Sequence, residues 1–258
     1  MATIIPQKNE FDLSEKYHKI LEKCELSFIS FSILATFVRF FPFYQSNVEY
    51  IFTILTIVSV VAVFFFQLRF KTTYMNAEEI RRDGLIDNAF SSKMADVESD
   101  GYYDTDDVDE GMRRLLANIH ENCFFSIRVT GPMLIKEEKK NIGFIIIMVI
   151  AILFNLTNSQ FVLAMMQIFL SMNFCGNYLR IKKLRDSLER VQIGCKQIWE
   201  DWNSGYLTLQ LQARVIRETI RYENALAYAS IMFDQSAYET MNMDVTKDWE
   251  NIKKRYKM

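Results

Sequence analysis

Apolar residues gather in four runs along the chain. The first spans Phe28 to Tyr44 and is interrupted by Arg39. The second spans Val48 to Phe66, with Glu49 at its edge. The third runs from Ile142 to Leu156 and the fourth from Phe161 to about Cys175. A membrane-spanning helix needs about 17 to 25 predominantly apolar residues. The first two runs meet that length. The last two are shorter, and a buried core helix is the competing reading for each. Three features favour a bilayer. The stretch GFIIIMVIAILF is apolar all round, as a lipid-facing helix is. The two runs lie back to back across Thr157-Asn158-Ser159-Gln160, and basic residues flank the pair. The pattern predicts four transmembrane helices in two hairpins, with two spans as the alternative.

The polar flanks orient these segments. Lys16, Lys19 and Lys23 precede the first run, and Arg69 and Lys71 follow the second. Lys136, Lys139 and Lys140 precede the third, and Arg180, Lys182, Lys183 and Arg185 follow the fourth. The turns Gln45-Ser46-Asn47 and Thr157 to Gln160 carry no Lys or Arg. The positive-inside rule then places both termini and the long middle segment in the cytoplasm. No cleavable signal peptide is expected, because the first apolar run starts far in and lacks a small-residue cleavage site.

Outside the runs the periodicity is helical. Ile181, Leu184, Leu188, Val191, Cys195, Ile198 and Trp202 recur at steps of three and four, a heptad seam. Asn203-Ser204-Gly205 supplies a stop, with Gly205 as a left-handed cap. Leu209, Ala213, Ile216 and Ile220, extended by Ala227 and Ile231, form a second stripe. The two stripes predict an αα-hairpin, a coiled-coil-like stalk below the membrane. Pairing of the seam with copies of itself in an oligomer is the competing reading. Asp248 to Tyr256 reads as a short surface helix with Trp249, Ile252 and Tyr256 on one face. Leu13 to Lys23 reads as an amphipathic helix that packs on the cytoplasmic part. The expected fold is therefore all-α. Its parts are an N-terminal helix (1–25), a transmembrane hairpin (26–68), a cytoplasmic insert with an acidic segment (69–141), a second hairpin (142–179) and a cytoplasmic helical domain (180–258).

Composition agrees with a helical chain. There are 258 residues with only 8 Gly and 3 Pro, too few for disorder or for an all-β domain rich in tight turns. The mean hydropathy is close to zero, which averages two unlike parts. The 30 Lys and Arg against 32 Asp and Glu leave no basic excess, so nucleic acid is not an expected partner. Cys24, Cys123, Cys175 and Cys195 are widely spaced, and His18 and His120 are the only histidines. Neither a zinc site nor a disulfide framework is expected, and the thiols should be reduced.

Polar residues within the runs define candidate pore or helix-interface positions. Ser32, Thr36 and Arg39 share a face, as do Thr53 and Thr56, and Gln160, Gln167 and Ser171. Such stripes either line a water-filled pore in an oligomer or act as polar glue between helices. Arg39 lies near the outer end of its run, where it can snorkel to the interface. No mid-span carboxylate or broken helix suggests an ion-coupled transporter.

The middle segment carries the candidate ligand or partner site. NAEEIRRDGLIDNAF, from Asn76 to Phe90, has helix-like apolar spacing with Arg81, Arg82, Asp83 and Asp87. Eight of the fifteen residues from Asp96 to Glu110 are Asp or Glu. A helix is expected from about Asp106 to Arg128, with Thr105 or Asp106 as its N-cap. Read as an EF-hand, Asp96, Glu98, Asp100, Asp104 and Asp107 would be ligands around Gly101. Glu at the third position and Asp at the twelfth depart from that pattern, so a solvated acidic loop is expected and no metal. Tyr102 and Tyr103 with Arg81 and Arg82 combine aromatic faces and guanidinium groups, the chemistry that holds a nucleobase and phosphates. Asp83, Asp87 and Asp104 complete that candidate set. The competing reading pairs both arginines with local acids.

No catalytic constellation is present: no nucleophile elbow, HExxH, Walker loop or kinase set. An enzyme is not expected, nor a cofactor.

The layout resembles the SMODS-associated four-transmembrane effectors of bacterial anti-phage systems. The shared features are a cytoplasmic N-terminal helix, two hairpins with tiny outer loops, a long inner loop and a helical C-terminus. The resemblance implies a multi-pass protein of the bacterial inner membrane that oligomerises into a pore or perturbs the bilayer. Its cytoplasmic helices would respond to a cytosolic partner or a nucleotide second messenger. The alternatives are a non-conducting scaffold that recruits a cytosolic protein, and a membrane enzyme.

Overall fold

The computed structural model describes residues 5–38, 47–97, 102, 103, 105, 107–153, 175–205, 209–233 and 235–258. These residues form six helices and no strand: α1 (Lys8–Val38), α2 (Asn47–Phe90), α3 (Met112–Leu153), α4 (Cys175–Asn203), α5 (Leu209–Ala229) and α6 (Gln235–Tyr256). The protein is all-helical, as the low Gly and Pro content requires. The chain divides into two compact units. One comprises Lys8–Ala77 and Lys139–Cys175, and the other Met1–Gln7, Glu78–Glu138 and Gly176–Met258.

Many of the described apolar residues of the first unit are exposed. Ile57, Val58, Val61 and Phe64 of α2 are exposed, as are Ile142, Ile145, Ile146, Val149 and Ile150 of α3. Within α2, an 18-residue stretch is apolar enough to cross a membrane, and only 6% of it is buried. Among the described residues α2 is the one helix that meets this requirement. The other three expected spans fall partly or wholly outside the described residues. Of Phe28–Tyr44, α1 covers the part up to Val38, and of Ile142–Leu156, α3 covers the part up to Leu153. Of the fourth run only Cys175 is described. The amphipathic stretch Leu13–Lys23 is not a separate helix but part of the continuous α1. Aromatic contacts hold it to α2: Phe11 against Tyr74, Tyr17 against Phe66 and His18 against Phe70.

The second unit, the helical body, is built the other way round. Leu85 and Ala89 of α2, Leu115, Leu116, Ile119 and Cys123 of α3, and the whole α4 seam from Ile181 to Ile198 are buried, as is Trp199. The α4 seam lies where its heptad spacing puts it. Gly205 has φ of 85° and follows α4 as its left-handed cap.

Three further expectations are corrected here. The first concerns the face of α5. Leu209, Ile216 and Ile220 are exposed, and so are Ala213 and Ala227. The buried face is Leu211, Val215, Glu218, Tyr222, Leu226 and Ala229. Glu218 sits at the centre of that face, so apolar periodicity selects the other stripe. Its carboxylate is accommodated because Gly194 of α4 has no side chain, and a Cβ there would lie 2.6 Å from the Glu218 Cδ. Arg217 Nη2 and Arg221 Nη1 neutralise Glu218 Oε1 at 2.8 and 3.0 Å.

The second correction concerns α3. It starts at Met112, not Asp106, and continues past Arg128 through Pro132 to Leu153. Thr105 does not cap it. Its hydroxyl hydrogen-bonds the Asn118 side-chain oxygen at 2.6 Å, while Asn118 Nδ2 donates to Asn88 Oδ1 at 2.7 Å. This polar cluster ties the loop to α2 and α3. Pro132 removes one helical hydrogen bond, but it lies on an exposed face, where the freed carbonyl can meet solvent. The third correction concerns the C-terminus. α6 has 22 residues, and Trp249 and Tyr256 are core residues, not part of a surface helix.

The Gly194–Glu218 contact yields a paired test. Gly194→Ala should destabilise the protein by about 1–3 kcal/mol through overpacking. Gly84→Ala, where a Cβ meets nothing within 4 Å, should be neutral or stabilising by about 0.5–1 kcal/mol. Thermal unfolding in detergent measures both, and equal effects would contradict this packing.

Candidate functional site

The structure commits Arg81 to the core. Its guanidinium is buried and donates to Glu78 Oε2 through Nε at 3.0 Å and Nη2 at 2.9 Å. The same Nη2 donates to Glu223 Oε2 of α5 at 2.6 Å. Arg82 Nε stands 3.4 Å from Glu223 Oε2 on the exposed side. The Arg81 guanidinium also lies 5.6 Å from the Tyr222 ring centroid. Tyr103 is buried in the same core, and Tyr102 meets it edge-on with centroids 4.7 Å apart. Arg81 and Tyr103 are thus brought together, but as interior groups.

Asp87 has a local role. It accepts hydrogen bonds from the Ser92 hydroxyl at 2.7 Å, Met94 N at 2.8 Å and Ala95 N at 2.7 Å. Burial opposes its charge, but these three bonds outweigh it and hold the carboxyl below its usual range. They fasten the chain where it leaves α2, beside the left-handed Ser91. Asp83 is half-buried in α2. Asp104 lies outside the described residues, as do Glu98, Asp100 and Gly101 of the EF-hand alignment. Among the described residues no three His, Cys, Asp or Glu side chains gather to hold a metal.

Of the pore or interface candidates, Arg39, Gln160, Gln167 and Ser171 lie outside the described residues, as does the side chain of Thr36. Ser32 is half-buried in α1. Thr53 and Thr56 donate to their own helix, at Glu49 O (2.9 Å) and Phe52 O (2.8 Å). That bonding satisfies a hydroxyl without any partner helix.

Reactive groups in the body are quenched by burial. Burial pushes the Cys123 and Cys195 thiols far up, so both stay protonated. His120 is fully buried between Trp249 and Tyr256, with ring centroids at 5.3 and 5.9 Å. Burial, and then the charge of Lys196, push it down to about 3. It is neutral across the physiological range.

What the surface of the body offers instead is a groove along α4 and α5, with a volume of about 430 Å³. Leu184, Val191 and Ala225 form its floor, and Lys183, Arg190, Arg221 and Tyr228 its rim. The spacing of Lys183, Ser187 and Arg190 at i, i+4 and i+7 puts them on one side of α4. Arg221, Asn224 and Tyr228 do the same on α5. Sequence reasoning missed this set. It assigned Lys183 to the membrane flank and placed the wrong face of α5 inside, which hid the pairing of the two rows.

No protein-family model matches the chain, and no curated protein or solved structure matches it.

His120 gives a pH test. Its folded-state pKa lies below its unfolded value, so the unfolded chain binds more protons. Its neutral form supports folding fully above about pH 6.5, and this support is lost as pH falls from there toward 3. Relative to wild type, His120→Phe should gain stability by up to about 1.4 kcal/mol per pH unit below about 6.5. Unfolding of both proteins from pH 7 to 4 measures the difference, and a constant difference would contradict the buried neutral imidazole.

Proposed function

We propose that this is a multi-pass membrane protein with four spans and cytoplasmic termini, whose helical body biases the spans. In this reading the protein oligomerises in the bacterial inner membrane, and its output is loss of the membrane's barrier to ions, in keeping with an anti-phage effector. The observation that carries it is the outward apolar surface of α2. A water-soluble protein rarely exposes so large a contiguous apolar patch. Continuity of α2 and α3 supports coupling, because each helix contributes residues to both units without a break.

A second reading draws on the outward stripe of α5. Leu209, Ile216 and Ile220 are 86%, 44% and 54% exposed, a face available to another helix. Here the protein is a non-conducting scaffold for a cytosolic partner.

Overexpression separates the two. The effector reading predicts collapse of the membrane potential, reported by a voltage-sensitive dye, and weaker collapse with Arg39→Gln or Gln167→Leu. A fully polarised membrane at high expression, with a soluble protein co-purifying in stoichiometric amount, would overturn it in favour of the scaffold.

A further inference from the structure

The rim of the α4–α5 groove is an uncompensated cationic site. No carboxylate lines it. The Lys183 ammonium sits 3.9 Å from the centroid of the Tyr228 ring, and Arg190 Nη2 donates to Ser187 Oγ at 3.0 Å. Neither pairs with an acid among the described residues. Arg221 Nη1 has Glu218 Oε1 at 3.0 Å, but Arg217 draws on that same oxygen. One buried carboxylate therefore serves two guanidinium groups, and a positive excess faces the groove. In a chain of net charge −2, two unpaired cations beside a third that shares its carboxylate favour an anion.

The groove has more than charge. Its floor is apolar, and Tyr228, 62% exposed, offers an aromatic ring. Ser187 and Asn224 add hydrogen-bonding groups between the cations. Inorganic phosphate would satisfy the rim and leave the floor wet. A ligand that meets both carries phosphate at one end and a flat ring at the other. The volume lies within the range of about 300–1,000 Å³ that holds small molecules. Arg81 and Tyr103, by contrast, are buried in the core.

We propose that the α4–α5 groove binds a soluble aromatic phosphate of mononucleotide size, with its phosphates among Lys183, Arg190 and Arg221 and its ring against Tyr228. The site stands on the groove alone and holds whether or not the spans conduct ions.

The test is binding of ATP to the full-length protein in neutral detergent, followed by calorimetry. Saturable binding is expected, and it should weaken as salt is raised. Lys183→Gln and Arg190→Gln should each weaken it about tenfold, and Tyr228→Leu several-fold. All three side chains are exposed, so unchanged unfolding temperatures confirm that the fold is kept. Absence of saturable binding would overturn the proposal. So would binding that the Lys183 and Arg190 variants leave intact, or inorganic triphosphate competing as well as ATP. Binding of vesicles containing phosphoinositides in place of ATP would assign the groove to lipid headgroups and overturn the soluble ligand.

Discussion

α2 contributes residues to both compact units, with an exposed apolar stretch in one and buried residues in the other. The 44 residues of α2 extend about 66 Å at 1.5 Å per residue. Over its first half the large side chains point outward. From Tyr74 onward one face turns inward, and Tyr74, Ala77, Leu85 and Ala89 are buried. The change occurs at Arg69, Lys71, Thr72 and Thr73. Arg69 reaches back over the Phe65 ring at 5.3 Å, and both threonines bond to carbonyls of their own helix. In the proposed membrane placement these groups suit a helix that leaves lipid without a break, because the hydroxyls stay satisfied and the cation can reach the interface.

Within the body, buried charge fixes which face of α5 turns inward. Arg81 with Glu78 and Glu223 links α2 to α5, and Glu218 lies against Gly194 between α5 and α4. Such groups are costly to desolvate, and apolar substitutes could match them in stability. What they exclude is misplacement. Turning α5 to bury Leu209, Ile216 and Ile220 would strip Arg81 of one carboxylate and would leave Gly194 facing a gap. The same rotation of α5 places Arg221 at the rim of the groove, beside Lys183 and Arg190 of α4.

These buried charges also explain what was legible in the sequence. The α4 seam was readable because all its members are apolar or nearly so, and heptad spacing then has one interpretation. The α5 face was not, because its inward row contains Glu218 while its outward row contains Leu209, Ile216 and Ile220. Arg81 resembled a ligand-binding group for the same reason: its partner Glu223 lies 142 residues away, beyond any local pattern. The start of α3 was misplaced because Asp106 and Thr105 have the chemistry of an N-cap, whereas the Thr105 hydroxyl is taken by Asn118. The run from Val48 to Phe66, in contrast, announces itself by length, and α2 carries it. The groove required two rows on different helices to be seen together, which the misreading of α5 prevented.

In the proposed membrane placement the exposed apolar half of α2 faces lipid. A nitroxide placed at Val61, 62% exposed in the protein, reports this directly after reconstitution into a bilayer. Collision rates with dissolved oxygen should exceed those with a water-soluble nickel chelate. The reverse order would place α2 in water and contradict the account.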